Sequence, residues 1–233
     1  MAKMQYAIED KIARITLDDG KMNVMNWDFF NELNTSLDQA LADKAAALIF
    51  TSRPGVFSAG LDLKLFLSLN PPDMMKFLKT FADAMLRVYL FPIPTITACC
   101  GHSIAGGMIL SSACDRFMVT DGPYKIQINE IANKIMVTTW INIICRSAIP
   151  PQWWKEAILH AHLYTPKEAF EKGIADDLIA EGSDVLAAAK VYAQDLFRLD
   201  PRAYKETKKV MRQQEVDYAL QIFEKEILGW LKG

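Results

Sequence analysis

The sequence predicts an α/β domain in which strands and helices alternate, followed by a helical C-terminal segment. Two continuous apolar runs of strand length, residues 46–51 and 95–100, are typical of parallel strands that are buried on both faces. Segments with the apolar period of a helix separate these runs, and this alternation favours a βα-repeating architecture. With 51% apolar and 23% charged residues, the chain is expected to form a packed core.

The first predicted elements form a hairpin and a helix. Residues 6–9 and 13–17 have strand character, and Asp10 and Lys11 between them are typical of a turn. Asn26 is a suitable N-cap for a helix whose apolar residues recur on one face. The buried strand at residues 46–51 follows this helix.

The middle of the chain repeats the same pattern. Proline at positions 71 and 72 opens a second helix that is predicted to run to about residue 90, where Pro92 and Pro94 end it. After the strand at residues 95–100, the expected elements are a helix over 106–114 and strands over 116–120 and 124–128.

From Pro150 onward the pattern becomes mainly helical, and one strand interrupts it at residues 174–179. The predicted helices cover residues 151–159, 166–172, 184–196, 201–212 and 217–231. We therefore predict a core domain of residues 1–180 and a helical segment of residues 181–233. Trp230 and Leu231 suggest that this segment caps the core or docks on another subunit.

Composition and charge argue against several classes of partner. The formal net charge is -2 and no dense Lys/Arg cluster is present, so neither nucleic acid nor an anionic membrane is an expected partner. No apolar run has the roughly 18 residues of a spanning helix, and Met1–Lys3 leads directly into a strand-like pattern without a leader. We therefore predict a cytoplasmic protein whose four cysteines are reduced, with no metal site.

Two glycine-containing segments, residues 56–63 and 100–107, each follow a buried strand and end at a predicted helix start. Small residues allow a ligand to approach the main chain, and a helix N-terminus presents free N–H groups. Two such turns side by side could donate two hydrogen bonds to one oxygen, as in an oxyanion hole. The alternative is two ordinary strand-to-helix turns. A dinucleotide-binding loop is disfavoured because neither segment has GxGxxG spacing.

These residues resemble the crotonase, or enoyl-CoA hydratase/isomerase, superfamily, and most closely its single-glutamate Δ3,Δ2-enoyl-CoA isomerases. Residues 54–63, PGVFSAGLDL, are similar to the first oxyanion-hole motif, and AGG at 105–107 followed by Cys114-Asp115 is similar to the second. Further similarity lies in NVM at 23–25, TPKEA at 165–169 and GIAD at 173–176. The resemblance implies repeated ββα units in a spiral core, trimers or dimers of trimers, and an acyl-CoA substrate with no separate cofactor.

The resemblance also implies the site. The thioester oxygen would lie between the backbone amides of Leu61 and Gly106, and the backbone at Val24 and Ala59 would contact CoA. Lys64 is a separate candidate for contacting the phosphate or adenine of CoA, and the alternative is that it lies on a solvated helix face. Lysines of the C-terminal segment are further candidates for its phosphates: Lys205, Lys208, Lys209 and Lys225.

The resemblance places the two glutamates of a hydratase at positions 109 and 130. Position 109 is Ile109, which cannot transfer a proton, whereas Glu130 is present. One carboxylate is sufficient to move a proton from C2 to C4 of a 3-enoyl-CoA, provided that water is excluded. The apolar residues expected to exclude it, and to raise the pKa of Glu130 by desolvation, are Ile109, Ile128, Ile131, Ile135, Met136 and Val137.

The sequence therefore predicts a Δ3,Δ2-enoyl-CoA isomerase with Glu130 as the catalytic residue. Alternatives that stay open are an enoyl-CoA hydratase, a thioester hydrolase of the same fold, and a non-catalytic acyl-CoA binder. Without the resemblance, Glu130 would be interpreted as an exposed carboxylate at a helix start.

Overall fold

A computed structural model describes residues 4–232; Met1–Lys3, where no leader is expected, and Gly233 lie outside the described residues. The strands are β1 Met4–Glu9, β2 Ile12–Leu17, β3 Ala47–Ser52, β4 Gly55–Ser58, β5 Thr95–Cys99, β6 Gly101–Ile104, β7 Arg116–Thr120, β8 Ile126–Gln127 and β9 Asp177–Ile179. The helices are α1 Trp27–Ala42, α2 Leu63–Ser68, α3 Pro71–Tyr89, α4 Gly106–Ala113, α5 Thr139–Ala148, α6 Pro166–Glu171, α7 Val185–Asp195 and α8 Pro201–Lys232.

The strands form two sheets that are built from repeated units. The larger sheet has the order β1-β2-β3-β5-β7-β9, with β1 antiparallel to β2 and the other pairs parallel. The smaller, parallel sheet has the order β4-β6-β8. Thus β3, β5 and β7 each continue into a strand of the small sheet, which confirms the expected crotonase-type ββα repeat and α/β class.

Helices cover both faces of the large sheet. Strands β3 and β5 are buried along their whole length, as their continuous apolar sequences predict. On one face they contribute to the main core, with α1, α3, α4 and α5. On the other face α7 packs through Val185, Ala189 and Ala193 against a smaller apolar cluster.

Several predicted elements differ from the structure. Residues 151–159 form a 3₁₀ turn followed by a π turn instead of the predicted α-helix. The predicted strand at 124–128 has only two paired residues, since β6 offers only Ser103 and Ile104 as partners. The sequence patterns missed β4 and β6, which are short. They also missed α5, although its buried residues Trp140, Ile141, Ile144 and Cys145 recur at helical spacing.

The C-terminal helix α8 is continuous, so the prediction of separate helices over 201–212 and 217–231 is wrong. Residues 213–216, Gln-Gln-Glu-Val, contain no helix breaker, so the helix continues through them. Four apolar residues of α8 join the main core: Val216, Ala219, Phe223 and Ile227. The division at residue 180 stays a prediction. Within residues 4–232 no helix is both long enough and apolar enough to span a membrane.

Asp115 anchors the first half of α8. Its carboxylate accepts hydrogen bonds from Lys208 Nζ at 2.7 Å and from Tyr204 Oη at 2.9 Å, and it pairs with Arg212 at 2.9 Å. It also accepts the backbone N–H of Thr95. The Lys208 side chain is only 6% exposed, so the prediction that Lys208 contacts CoA phosphate is wrong.

Candidate active site

The two glycine turns lie in direct contact. Strand β4 leads through Gly60 to Leu61, and β6, its parallel neighbour, leads through Ala105 to α4. A Cβ added to Gly60, whose φ is +83°, would lie 2.7 Å from Gly106 N. Ala105 has φ +50°, an unusual value for a residue with a side chain. The backbones of the two turns are therefore closer than any side chain at Gly60 would permit.

Two amide N–H groups remain free where the turns meet. Gly106 is the first residue of α4, where no preceding helical carbonyl is available. In the first turn, Met25 N donates to Gly60 O at 2.8 Å and Asp62 N donates to Met25 O at 2.9 Å. Leu61 lies between Gly60 and Asp62, and its N–H takes part in neither of these hydrogen bonds. Neither Leu61 N nor Gly106 N donates to a protein acceptor within the described residues. Two adjacent free donors can stabilise one negatively charged oxygen.

Polar side chains that sequence reasoning did not single out hold the first turn. Asn23 is 2% exposed and its Nδ2 donates to Leu17 O and Phe57 O. Ser58 Oγ donates to Asn23 O at 2.7 Å and accepts from Gly60 N at 3.1 Å. In the sequence, the signal for such a support is a polar residue between apolar neighbours. If such a residue is buried, its polar groups are expected to be hydrogen-bonded.

Glu130 lies between β8 and a 3₁₀ turn at Ile131–Asn133, and it is only 6% exposed to solvent. The interpretation of Glu130 as an exposed helix-start carboxylate is therefore wrong. Its Oε2 is buried and has no hydrogen-bond partner in the part of the chain that the structure describes. Burial raises the pKa of Glu130 to about 7, against a smaller opposing effect of the backbone amides of Glu130 and Asn129.

Glu130 and the first glycine turn line one cavity of about 100 Å³, which also contacts Ala105 next to Gly106. The other side chains that line it are mostly apolar: Leu63, Leu78, Phe81, Ile135, Met136, Trp140, Ile141, Ile227 and Trp230. Among the lining residues that the structure describes, Glu130 is the one ionisable side chain. The cavity thus places one ionisable carboxyl group in the same space as Leu61 and Ala105 of the two glycine turns.

The structure corrects part of the predicted apolar surroundings. Ile135 and Met136 line the cavity as expected. Ile131 is 41% exposed, because the 3₁₀ turn directs it away from the core, so its predicted role is wrong. Ile109 is completely buried in the core packing of α4 and does not line the cavity. The position that a second glutamate would occupy therefore holds a core residue.

The predicted CoA contacts and the other polar candidates have different settings. Ala59 lines the cavity, Val24 is partly buried, and Lys64 is exposed on α2. His102 Nδ1 accepts the backbone N–H of Lys125 at 2.9 Å and does not line the cavity. Residues 4–232 contain no group of three His, Cys, Asp or Glu side chains that could hold a metal ion.

Comparison with known proteins finds similarity over most of the chain. The family model described as Enoyl-CoA hydratase/isomerase matches residues 7–227. Enoyl-CoA delta isomerase 1, mitochondrial, from Rattus norvegicus is 29% identical over 212 residues, which are 90% of this chain and 73% of the rat protein.

Solved structures of related proteins share the fold over almost their whole length. Human mitochondrial delta3-delta2-enoyl-CoA isomerase superposes with a TM-score of 0.92 at 26% identity, covering 99% of this chain and 91% of that chain. An enoyl-CoA hydratase from Mycobacterium ulcerans superposes with a TM-score of 0.88 at 26% identity, covering 96% and 99%. The chain therefore belongs to the enoyl-CoA hydratase/isomerase family of crotonase-fold enzymes.

Proposed function

We propose that this enzyme is a Δ3,Δ2-enoyl-CoA isomerase. The observation that carries the proposal is that Glu130 is the one ionisable side chain among the described residues that line the cavity. A double-bond shift needs one group that removes a proton and returns it to another carbon. Hydration must in addition position a water molecule, for which two carboxylates are better suited.

The reaction proceeds in two proton transfers. The thioester oxygen of a 3-enoyl-CoA accepts hydrogen bonds from Leu61 N and Gly106 N. Ionised Glu130 removes a proton from C2, and the resulting dienolate places its negative charge on that oxygen, where the two amides stabilise it. Protonated Glu130 then returns the proton to C4, which moves the double bond to C2–C3. A pKa of about 7 suits a residue that is first a base and then an acid.

The apolar lining supports this assignment, because it keeps water from the dienolate and from the conjugated product. Val24, Ala59 and Lys64 contact the CoA part of the substrate, and no further cofactor takes part. We also propose a trimer or dimer of trimers, which would cover exposed apolar residues of α8 such as Val210 and Met211, 83% and 69% exposed. The cytoplasmic location stays a prediction.

An activity panel tests the proposal. 3-Enoyl-CoA, 2-enoyl-CoA and saturated acyl-CoA separate isomerase, hydratase and hydrolase, and binding without turnover identifies a non-catalytic acyl-CoA binder. We expect turnover of the 3-enoyl-CoA, and Glu130→Gln is expected to lower kcat about 10²- to 10⁴-fold. Glu206→Gln, the same change at an exposed position of α8, is the matched control. Full isomerase activity of Glu130→Gln would refute the assignment.

A further inference from the structure

Thr138 is the N-cap residue of α5, but its side chain does not cap the helix. Threonine at this position usually accepts a backbone N–H of the first turn. Glu226 of α8 instead accepts hydrogen bonds from the first residue of the helix. Thr139 N donates to Glu226 Oε1 and Oε2 at 3.0 Å each, and Thr139 Oγ1 donates to Oε1 at 2.9 Å. The hydroxyl of Thr138 itself takes no part in capping α5.

This hydroxyl is buried and has no partner among residues 4–232. Thr138 is 4% exposed, its Oγ1 makes no hydrogen bond within that range, and the residue lines the same cavity as Glu130. Within the described part of the chain, Glu130 Oε2 and Thr138 Oγ1 are the two unpartnered buried side-chain polar atoms whose residues line this cavity. Proton transfer accounts for the first atom. Nothing in the isomerisation of a hydrocarbon chain accounts for the second.

Hydrogen bonds within α5 hold the backbone of Thr138. Asn142 N donates to Thr138 O at 2.9 Å, and Asn142 Nδ2 donates to the same oxygen at 3.2 Å. Trp140 and Ile141 of the same helix also line the cavity. An acyl chain made only of hydrocarbon would leave the hydroxyl unpaired in this setting, which is unfavourable.

We propose that Thr138 is a specificity-determining residue that hydrogen-bonds an oxygen substituent, a hydroxyl or keto group, on the acyl chain of the substrate. The inference rests on the proposed function, because Glu130 serves C2 and C4 and the substituent would lie on carbons beyond C4. Acyl-CoA thioesters oxygenated on the distal part of the chain are then the preferred ligand class.

Binding measurements test this inference without depending on turnover. We would measure by isothermal titration calorimetry the Kd of hexanoyl-CoA, 5-hydroxyhexanoyl-CoA and 6-hydroxyhexanoyl-CoA for the wild type, Thr138→Val and Thr138→Ser. Selectivity is the ratio of the Kd of hexanoyl-CoA to that of a hydroxylated thioester. We expect Thr138→Val to lower this selectivity about tenfold for at least one hydroxylated thioester. Thr138→Ser, which keeps the hydroxyl, should retain it.

The outcomes separate this inference from the proposed function. Equal selectivity in the wild type and Thr138→Val would overturn the inference and show that the hydroxyl contacts at most a water molecule. Equal weakening of all three thioesters would overturn it as well, since a general packing effect is not specific for oxygen. Neither result affects the role of Glu130, which the isomerase assay of Glu130→Gln tests. Thermal unfolding of each variant verifies that it is folded.

Discussion

Glu130→Gln should change the stability of the protein in a manner that depends on pH. The substitution keeps the shape of the side chain and removes its charge. The pKa of Glu130 rises from an ordinary 4.5 to about 7 because burial disfavours the ionised form. The folded wild type therefore holds a proton that the unfolded chain has already lost between these two pH values.

The magnitude follows from the shift. A pKa difference of 1 between the folded and unfolded states corresponds to about 1.4 kcal/mol of unfolding free energy. Ionised Glu130 therefore lowers the free energy of unfolding by about 3 kcal/mol at pH values above 7. The wild type loses this stability as pH rises from 4.5 to 7, whereas the glutamine variant does not. From pH 5 to pH 8.5, the unfolding free energy of Glu130→Gln should increase relative to the wild type by about 2–3 kcal/mol.

Urea unfolding at pH 5, 6, 7 and 8.5 measures this difference for the wild type, Glu130→Gln and the exposed control Glu206→Gln. We expect most of the change in the free-energy difference below pH 7, and no change in the control. A difference between Glu130→Gln and the wild type that is constant with pH would refute the claim that Glu130 is desolvated.

The activity should depend on pH as well. The kcat of the wild type should rise with pH to a plateau above about 7, because the ionised carboxylate is the proposed base.

Three further predictions concern the supports of the site. Gly60→Ala should lower kcat at least 10²-fold, since its Cβ would lie 2.7 Å from the backbone of the second turn and displace an oxyanion donor; steady-state kinetics measures it. Asp115→Asn should destabilise the protein by about 3–5 kcal/mol in urea unfolding, because Lys208 is left buried without its anion; the double variant with Lys208→Met should recover part of the loss. Glu226→Ala should lower the free energy of unfolding by about 1–3 kcal/mol, because Thr139 loses its partner. It should also shift the acidic limb of the pH dependence of kcat to lower pH, because a loosened α8 admits water to Glu130. An unchanged pH dependence of kcat would contradict this coupling.

Much of the fold could be predicted because local patterns and tertiary structure agree. The runs at residues 46–51 and 95–100 are β3 and β5, and Asn26 caps α1 as predicted. The missed strands are those whose local signal is weak. Strands β4 and β6 are short and exist because they pair with each other, which a linear pattern does not contain.

The candidate site was only partly readable. The glycine turns were visible as motifs, and their parallel strands explain why they meet. The burial of Glu130 was expected, but the orientation of its neighbours was not: Ile135 lines the cavity, whereas Ile131, four residues earlier, is exposed. A 3₁₀ turn between them decides which side faces inward.

The amino-acid sequence by itself determined the family and the repeated strand–turn–helix pattern, and it singled out Glu130 as the candidate proton carrier, because these depend on residue types at short spacing. The tertiary structure decided which polar groups have partners. Lys208 is paired with Asp115, and the hydroxyl of Thr138 has no partner among the described residues, although neither neighbourhood is visible in the local sequence. The physical reason is that desolvation and hydrogen bonding depend on atoms that residues far apart in the chain bring together, as Glu226 does at the start of α5.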